Sequence, residues 1–270
     1  IAADVTGVGT ARSGLGATEF GGDKGIFGYG YSGGDVSMTN IVSNSGVVAS
    51  DVTGVGTARR YHAGAGYGGD KGIFGFGYYG DKGIFAYGNA ASAGYVGMSN
   101  LISNVGVVAT DVSAVGTARG YTGASEYSSN KDKGIFAFGY TGSTRLNASN
   151  LVSNVGVISS DVTGVGTARL GVEACGFGGD KCIFAFSGSP YSAISNLVSN
   201  EGVVATDTSG AAGVTGRSAL AACEFGKDKG IFGYGNDGSA ISYSNLVNNE
   251  GVIAADVTGV GTARNSLGAC

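Results

Sequence analysis

The chain has 270 residues, 43% of them apolar, and a net charge of −4, which suffices for a folded core and lies outside the disordered class. Its 54 glycines are about three times ordinary usage, but a single proline, Pro190, and the lack of a Gly-X-Y register exclude collagen and polyproline structure. Acids outnumber bases, which argues against nucleic acid as a partner, and no apolar run reaches the roughly 18 residues of a membrane span, which argues against membrane insertion.

The first element in chain order is a motif, Asp-Val-Thr-Gly-Val-Gly-Thr-Ala-Arg, running from Asp4 to Arg12. It recurs at Asp51–Arg59, Asp111–Arg119 (slightly altered), Asp161–Arg169 and Asp256–Arg264, with a worn copy at Asp207–Arg217. A spacing of roughly 50 residues marks a propeller, solenoid or array. Between the first two copies the sequence predicts four strands. Arg12 to Phe20 is followed by a Gly21-Gly22-Asp23 turn and the strand Lys24 to Gly30. After a variable loop, Ser37 to Ser43 turns at Asn44-Ser45-Gly46 into Val47 to Asp51, and Thr53 to Gly56 links to the next unit. No stretch has helical periodicity.

The units run approximately over 12–58, 59–118, 119–168, 169–216 and 217–263. The second is long because Asp70 to Gly80 is repeated at once by Asp81 to Gly88. Alternation along the second strand predicts Phe27 and Tyr29 on one face and Ile26, Gly28 and Gly30 on the other, with Phe74/Phe76, Phe136/Phe138, Phe184/Phe186 and Phe232/Tyr234 as equivalents. Stacked sheets would then lay an aromatic face on a Gly and Ala face. The expected fold is an all-β propeller of about five four-stranded blades in a single repeat domain, or an open or longer array of the same unit. Ile1–Asp4 duplicates a fourth strand and Arg264–Cys270 a first strand; these ends either close a ring or mark an excerpt of a longer array. The start at Ile1, in mid-repeat and without a signal-peptide pattern, reads as a processed or truncated piece.

The order Ala-Arg, small residues, aromatic, Gly-Asp-Lys, apolar strand, Gly, loop and Asn-bearing strand resembles the kelch repeat of β-propellers. The wording Thr-Gly-Val-Gly-Thr-Ala-Arg, Asp-Lys-Gly-Ile-Phe-Gly-Tyr-Gly and Ser-Asn-Leu-Val-Ser-Asn is similar to uncharacterised repeat proteins of environmental and phage-like sequences. The resemblance spans essentially the whole chain and implies a propeller-like, virion-associated protein, with no catalytic residues carried over.

Thr6-Gly7-Val8-Gly9 lacks the Lys and following helix of a phosphate loop and reads as a turn between units. Asp and Arg columns, such as Asp51 with Arg59, are expected to pair and fix that turn, and the Asp-Lys pairs sit in hairpin turns. The polar candidates for sugar recognition are Asn40, Asn100, Asn150, Asn196 and Asn245, since amides both donate to and accept from hydroxyls; a structural role in the turns competes with this. Loop tyrosines, chiefly Tyr31, Tyr79, Tyr95, Tyr140 and Tyr191, together with Tyr61, Tyr78 and Tyr121, could stack on sugar rings. His62, the one histidine, has no evident catalytic partners, and neither metal-ligand spacing nor a cofactor motif is present. Cys175 and Cys182 flank a turn symmetrically, which places them as cross-strand neighbours able to form a disulfide. The sequence predicts a non-enzymatic structural or adhesive module, extracellular or on a virion surface, that binds proteins or assembles with itself. The alternative is a multivalent lectin with surface glycans as ligands.

Overall fold

The computed structural model describes residues 6–68 and 82–269. The inserted copy with Phe74, Phe76, Tyr78 and Tyr79 lies outside the described residues, as do Ile1–Val5 and Cys270. Among the described residues there is no helix, as the periodicity predicts, and the strands form six small antiparallel sheets.

The first unit contributes β1 (Gly16–Phe20), β2 (Lys24–Tyr31) and β3 (Asp35–Val42). The second contributes β4 (Ala63–Tyr67), β5 (Lys82–Ala86), the two-residue strands β6 (Asn89–Ala90) and β7 (Gly94–Tyr95), and β8 (Ser99–Ile102). The third has β9 (Gly123–Tyr127), β10 (Lys133–Tyr140) and β11 (Arg145–Val152); the fourth has β12 (Glu173–Phe177), β13 (Lys181–Ser187) and β14 (Ser192–Val198). The fifth has β15 (Ala221–Phe225), β16 (Lys229–Asn236) and β17 (Ala240–Val247). Five sheets are three-stranded, with the second strand of the unit in the centre, and β6 and β7 form the sixth.

The predicted fourth strand is weaker than the other three. In the first unit it touches β3 through the single bridges Val42↔Val48 and Thr39↔Val52, a pattern repeated in all five units. Tight turns before it carry a glycine at positive φ, such as Gly46 at 77° and Gly106 at 81°, where a side chain would be strained.

The second strand departs from simple alternation. Tyr29, Tyr87, Phe138, Phe186 and Tyr234 all have positive φ, between 55° and 70°, and the ladder to the third strand slips beside four of them, between Gly28 and Gly30, Ala137 and Gly139, Ala185 and Ser187, and Gly233 and Gly235. A bulge re-aims a side chain. The two aromatics of one strand therefore face different neighbours, contrary to the alternation expected. Phe85 packs edge to face on Tyr29 of the unit before it, with ring centroids 5.6 Å apart, while Tyr87 packs on Phe136 of the unit after it at 5.5 Å. Phe138 with Phe184 and Phe186 with Phe232 repeat the contact at 5.6 and 5.1 Å, within the favourable range for aromatic pairs. The expected backing by Gly and Ala survives: a Cβ on Gly28 would stand 2.6 Å from the Phe85 ring, and Ala86, Ala137 and Ala185 share core clusters with Phe136, Phe184 and Phe232.

Neighbouring units also meet along their first strands, β1 beside β4, β4 beside β9, β9 beside β12 and β12 beside β15. Residues of all five first strands, joined by Leu267–Ala269, line one cavity.

Candidate functional site

The repeated polar residues assemble at the junctions between units. Arg59 donates from Nη2 to Asn100 Oδ1 at 2.6 Å, and its Nη1 lies 3.8 Å from Asp111 Oδ1. Asp111 in turn accepts from the Thr57 hydroxyl at 2.7 Å and from the Asn100 amide at 2.9 Å. The guanidinium lies over the Tyr29 ring of the preceding unit, 4.2 Å from its centroid. The same group of residues recurs with Arg119, Asn150, Asp161 and Tyr87, with Arg169, Asn196, Asp207 and Phe138, and with Arg217, Asn245, Asp256 and Phe186. The worn motif keeps this chemistry, because Thr215 still donates to Asp256.

Two expectations change here. Asp51 pairs not with Arg59 of its own motif but with Arg12, at 3.6 Å, because each carboxylate returns to the start of its own unit. In addition, Asn40, Asn100, Asn150, Asn196 and Asn245 are buried, and each amide donates to an Asp and to a backbone carbonyl. With the carbonyl oxygen taken by Arg, they have no polar group to offer a sugar. The disulfide is also corrected. Strand register sets Cys175 opposite Ile183 and Gly176 opposite Cys182, so the two thiols point to opposite faces, and both are free.

The cavity lined by the first strands holds about 110 Å³. Toward the C-terminal ends of those strands, Glu19, Glu126 and Glu224 alternate with Gly66 and Gly176. A Cβ on Gly66 would lie 2.6 Å from the Glu126 carboxylate, and one on Gly176 would press on Glu224. Lys131 pairs with Glu224, and Glu126 and Glu224 each retain a carboxylate oxygen without a hydrogen-bond partner. Burial, then the neighbouring Glu19, pushes the Glu126 carboxyl up to about 8. Burial alone raises Glu173, on the same wall, to about 8. His62 lines the cavity between the rings of Tyr29 and Phe85. Burial and the charges of Arg59 and Arg12 hold its pKa well down, which keeps the imidazole neutral.

Just before these strands begin, the backbone is left-handed in every unit, at Gly14, Tyr61, Tyr121, Gly171 and Ala219, and again at Ser266. Tyr61 N–H donates to Gly14 O, Tyr121 N–H to Tyr61 O, and Gly171 N–H to Tyr121 O, which carries one chain of hydrogen bonds from unit to unit. The two tyrosines stack with centroids 4.3 Å apart and planes 20° apart. Around them gather three of the predicted residues. Arg60 lies over Tyr31, 4.5 Å from its centroid, and 3.5 Å from Asp35; Tyr95 meets Tyr140 edge to face at 5.8 Å. Tyr191 stands apart, 42% exposed, and donates to Asn236 at 2.6 Å.

The sequence reading missed the alternating carboxylates, although Glu-Phe, Gly-Tyr, Glu-Tyr, Gly-Phe and Glu-Phe at the ends of successive first strands were the available signal. Neither a family model nor a curated protein matches the chain.

Proposed function

We propose that the chain is a non-enzymatic, adhesive repeat module of propeller-like, kelch-like architecture, working at a virion or cell surface and binding protein partners through its tyrosine face. The propeller reading is supported by five sheets whose first strands stand side by side about one cavity. The observation that carries the binding role is the Tyr61–Tyr121 stack. Both residues hold φ near 55–58° at a position filled by Gly14 and Gly171 in other units, and bulky side chains kept at positive φ are strain of the kind that clusters at functional sites. Arg60, Tyr31, Tyr95 and Tyr140 surround the stack, and Tyr and Arg are the residue types that anchor protein interfaces. The repeated Arg, Asn and Asp are committed to the joints, which leaves this face as the chemically distinct surface.

A second reading, a lectin, is favoured by one detail: the partly exposed ring of Tyr31 lies beside the Arg60–Asp35 ion pair, the combination of apolar face and polar groups that a sugar ring uses. Selection from a displayed peptide library, run beside a glycan array, separates the two. The adhesive reading predicts peptide ligands that bind the full chain and are lost in Tyr121→Gly and Arg60→Ala variants with unchanged melting temperature. Glycan signals lost in the same variants would carry the lectin reading instead, and ligands indifferent to both substitutions would refute the proposed face.

A further inference from the structure

The cavity along the first strands carries more ionisable and polar groups than the fold uses, and they stand at two levels. At the lower level Glu19, Glu126 and Glu224 share the ammonium of Lys131, which pairs with Glu224. Glu126 and Glu224 each keep an oxygen that nothing satisfies.

The upper level is Glu173, which stands where the other units have Gly16, Ala63, Gly123 and Ala221. Burial is the one influence on its carboxyl, with no hydrogen bond or charge of the described residues set against it. One position earlier in their own units come His62 and Thr122, each 5% exposed and each lining the cavity. Both ring nitrogens of His62 and the Thr122 hydroxyl lack hydrogen-bond partners. Buried polar groups left in this way are costly unless a bound molecule satisfies them.

The hydrogen bond from Gly171 to Tyr121 holds the third and fourth units level. Glu173 lies two residues beyond Gly171 and Glu126 five beyond Tyr121, so the two carboxyls are three residues apart in height, about 10 Å at about 3.3 Å per residue. Between the levels the wall is Ala17, Gly64, Ala124, Ala174 and Ala222, apolar and without bulk. Among the described residues no three acidic, imidazole or thiol groups are placed to hold a metal ion; the acceptors are spread along a length instead.

We infer that the cavity is a binding site for a linear aliphatic diamine. One ammonium donates to Glu173, with the neutral imidazole of His62 and the Thr122 hydroxyl as further acceptors. The other donates to the unsatisfied oxygens of Glu126 and Glu224, beside the Lys131 ammonium that already occupies this level. The methylenes lie along the alanine wall. With about 2.8 Å allowed for the charge-assisted hydrogen bond at each end, the span fits a chain of about four to six methylenes. The cavity's 110 Å³ is several times the roughly 10–15 Å³ that one water needs, which leaves room for the about six to eight non-hydrogen atoms of such a molecule. The inference goes beyond the adhesive reading and rests on the cavity's own side chains, so either can fail without the other.

The test is isothermal titration calorimetry of the full chain with putrescine, its six-methylene homologue and, for comparison, hexylamine. Saturable one-to-one binding of a diamine is expected, about tenfold or more tighter than hexylamine, which brings one ammonium to two carboxyl levels. Glu173→Gln and Glu126→Gln, which keep size and remove charge, should each weaken the diamine about tenfold. No saturable binding of either diamine, or equal affinity for diamine and hexylamine, would overturn the inference on the parent chain alone. Diamine binding indifferent to both substitutions would overturn it as well, since the ligand would then sit elsewhere.

Discussion

Arg59 and Tyr29 belong to different repeat units, yet the guanidinium of the first rests 4.2 Å above the ring of the second. The side chain of Arg59 is fully buried. Its charge is tolerated there because a carboxylate, an amide oxygen and an aromatic face share it.

Arg119 occupies the corresponding joint between the second and third units, held by Asn150 at 2.6 Å and by the Tyr87 ring at 4.1 Å. Arg119→Ala strips the partners of a buried cation and should cost about 3–5 kcal/mol in denaturant unfolding. Arg119→Lys should not restore it, because an ammonium can neither stack as a plane nor fork between two acceptors.

Glycines at equivalent turns should differ according to their neighbours. Gly251→Ala and Gly46→Ala both place a side chain at φ near 80°, but only the former drives a Cβ to 2.9 Å from a ring, that of Phe177. Chemical denaturation should show the Gly251 variant less stable than the Gly46 variant by about 1–3 kcal/mol, the usual cost of overpacking. Equal losses would mean that the first unit's turn is covered like the others.

Stability should decline from mildly acid to mildly alkaline pH. Glu126 and Glu173 hold folded-state pKa values raised to about 8, whereas in the unfolded chain they titrate in the ordinary glutamate range. Below that range both states are protonated and the contribution is fully present. As pH rises toward about 8 the unfolded state loses its protons first, so folding is progressively disfavoured. Melting temperatures measured between pH 5 and 9 should fall for the parent chain and fall less for Glu126→Gln and Glu173→Gln; parallel curves would count against the buried carboxyls.

Both thiols at the turn of the fourth unit should be alkylated after denaturation without reductant, each adding one label mass at Cys175 and Cys182. Protection of the pair under those conditions would mean a disulfide, against the strand register.

The all-β character was legible because turn glycines and strand runs are local signals, repeated five times. Three features were not. The bulge that turns Tyr29 away from the side of Phe27 needs a positive φ at a bulky residue, which alternation does not announce. Asn40 and its equivalents read equally as ligands or as scaffold until the Arg that occupies their oxygens is placed, and that Arg lies 28 residues away in the chain for the Arg12–Asn40 pair. The disulfide failed on a register difference of one residue, enough to reverse the face of a side chain. Among the predicted tyrosines, Tyr31, Tyr95 and Tyr140 do gather on one face, and the Tyr61–Tyr121 stack at its centre depends on a left-handed backbone invisible in the sequence.

Arg59, Arg119, Arg169 and Arg217 each bind two units together by stacking on the aromatic of the unit before. A double-mutant cycle on Arg119→Met and Tyr87→Leu, read by equilibrium unfolding, tests this most directly. The joint predicts a coupling energy of about 1–2 kcal/mol between the two positions; losses that add to within about 0.3–0.5 kcal/mol would contradict it.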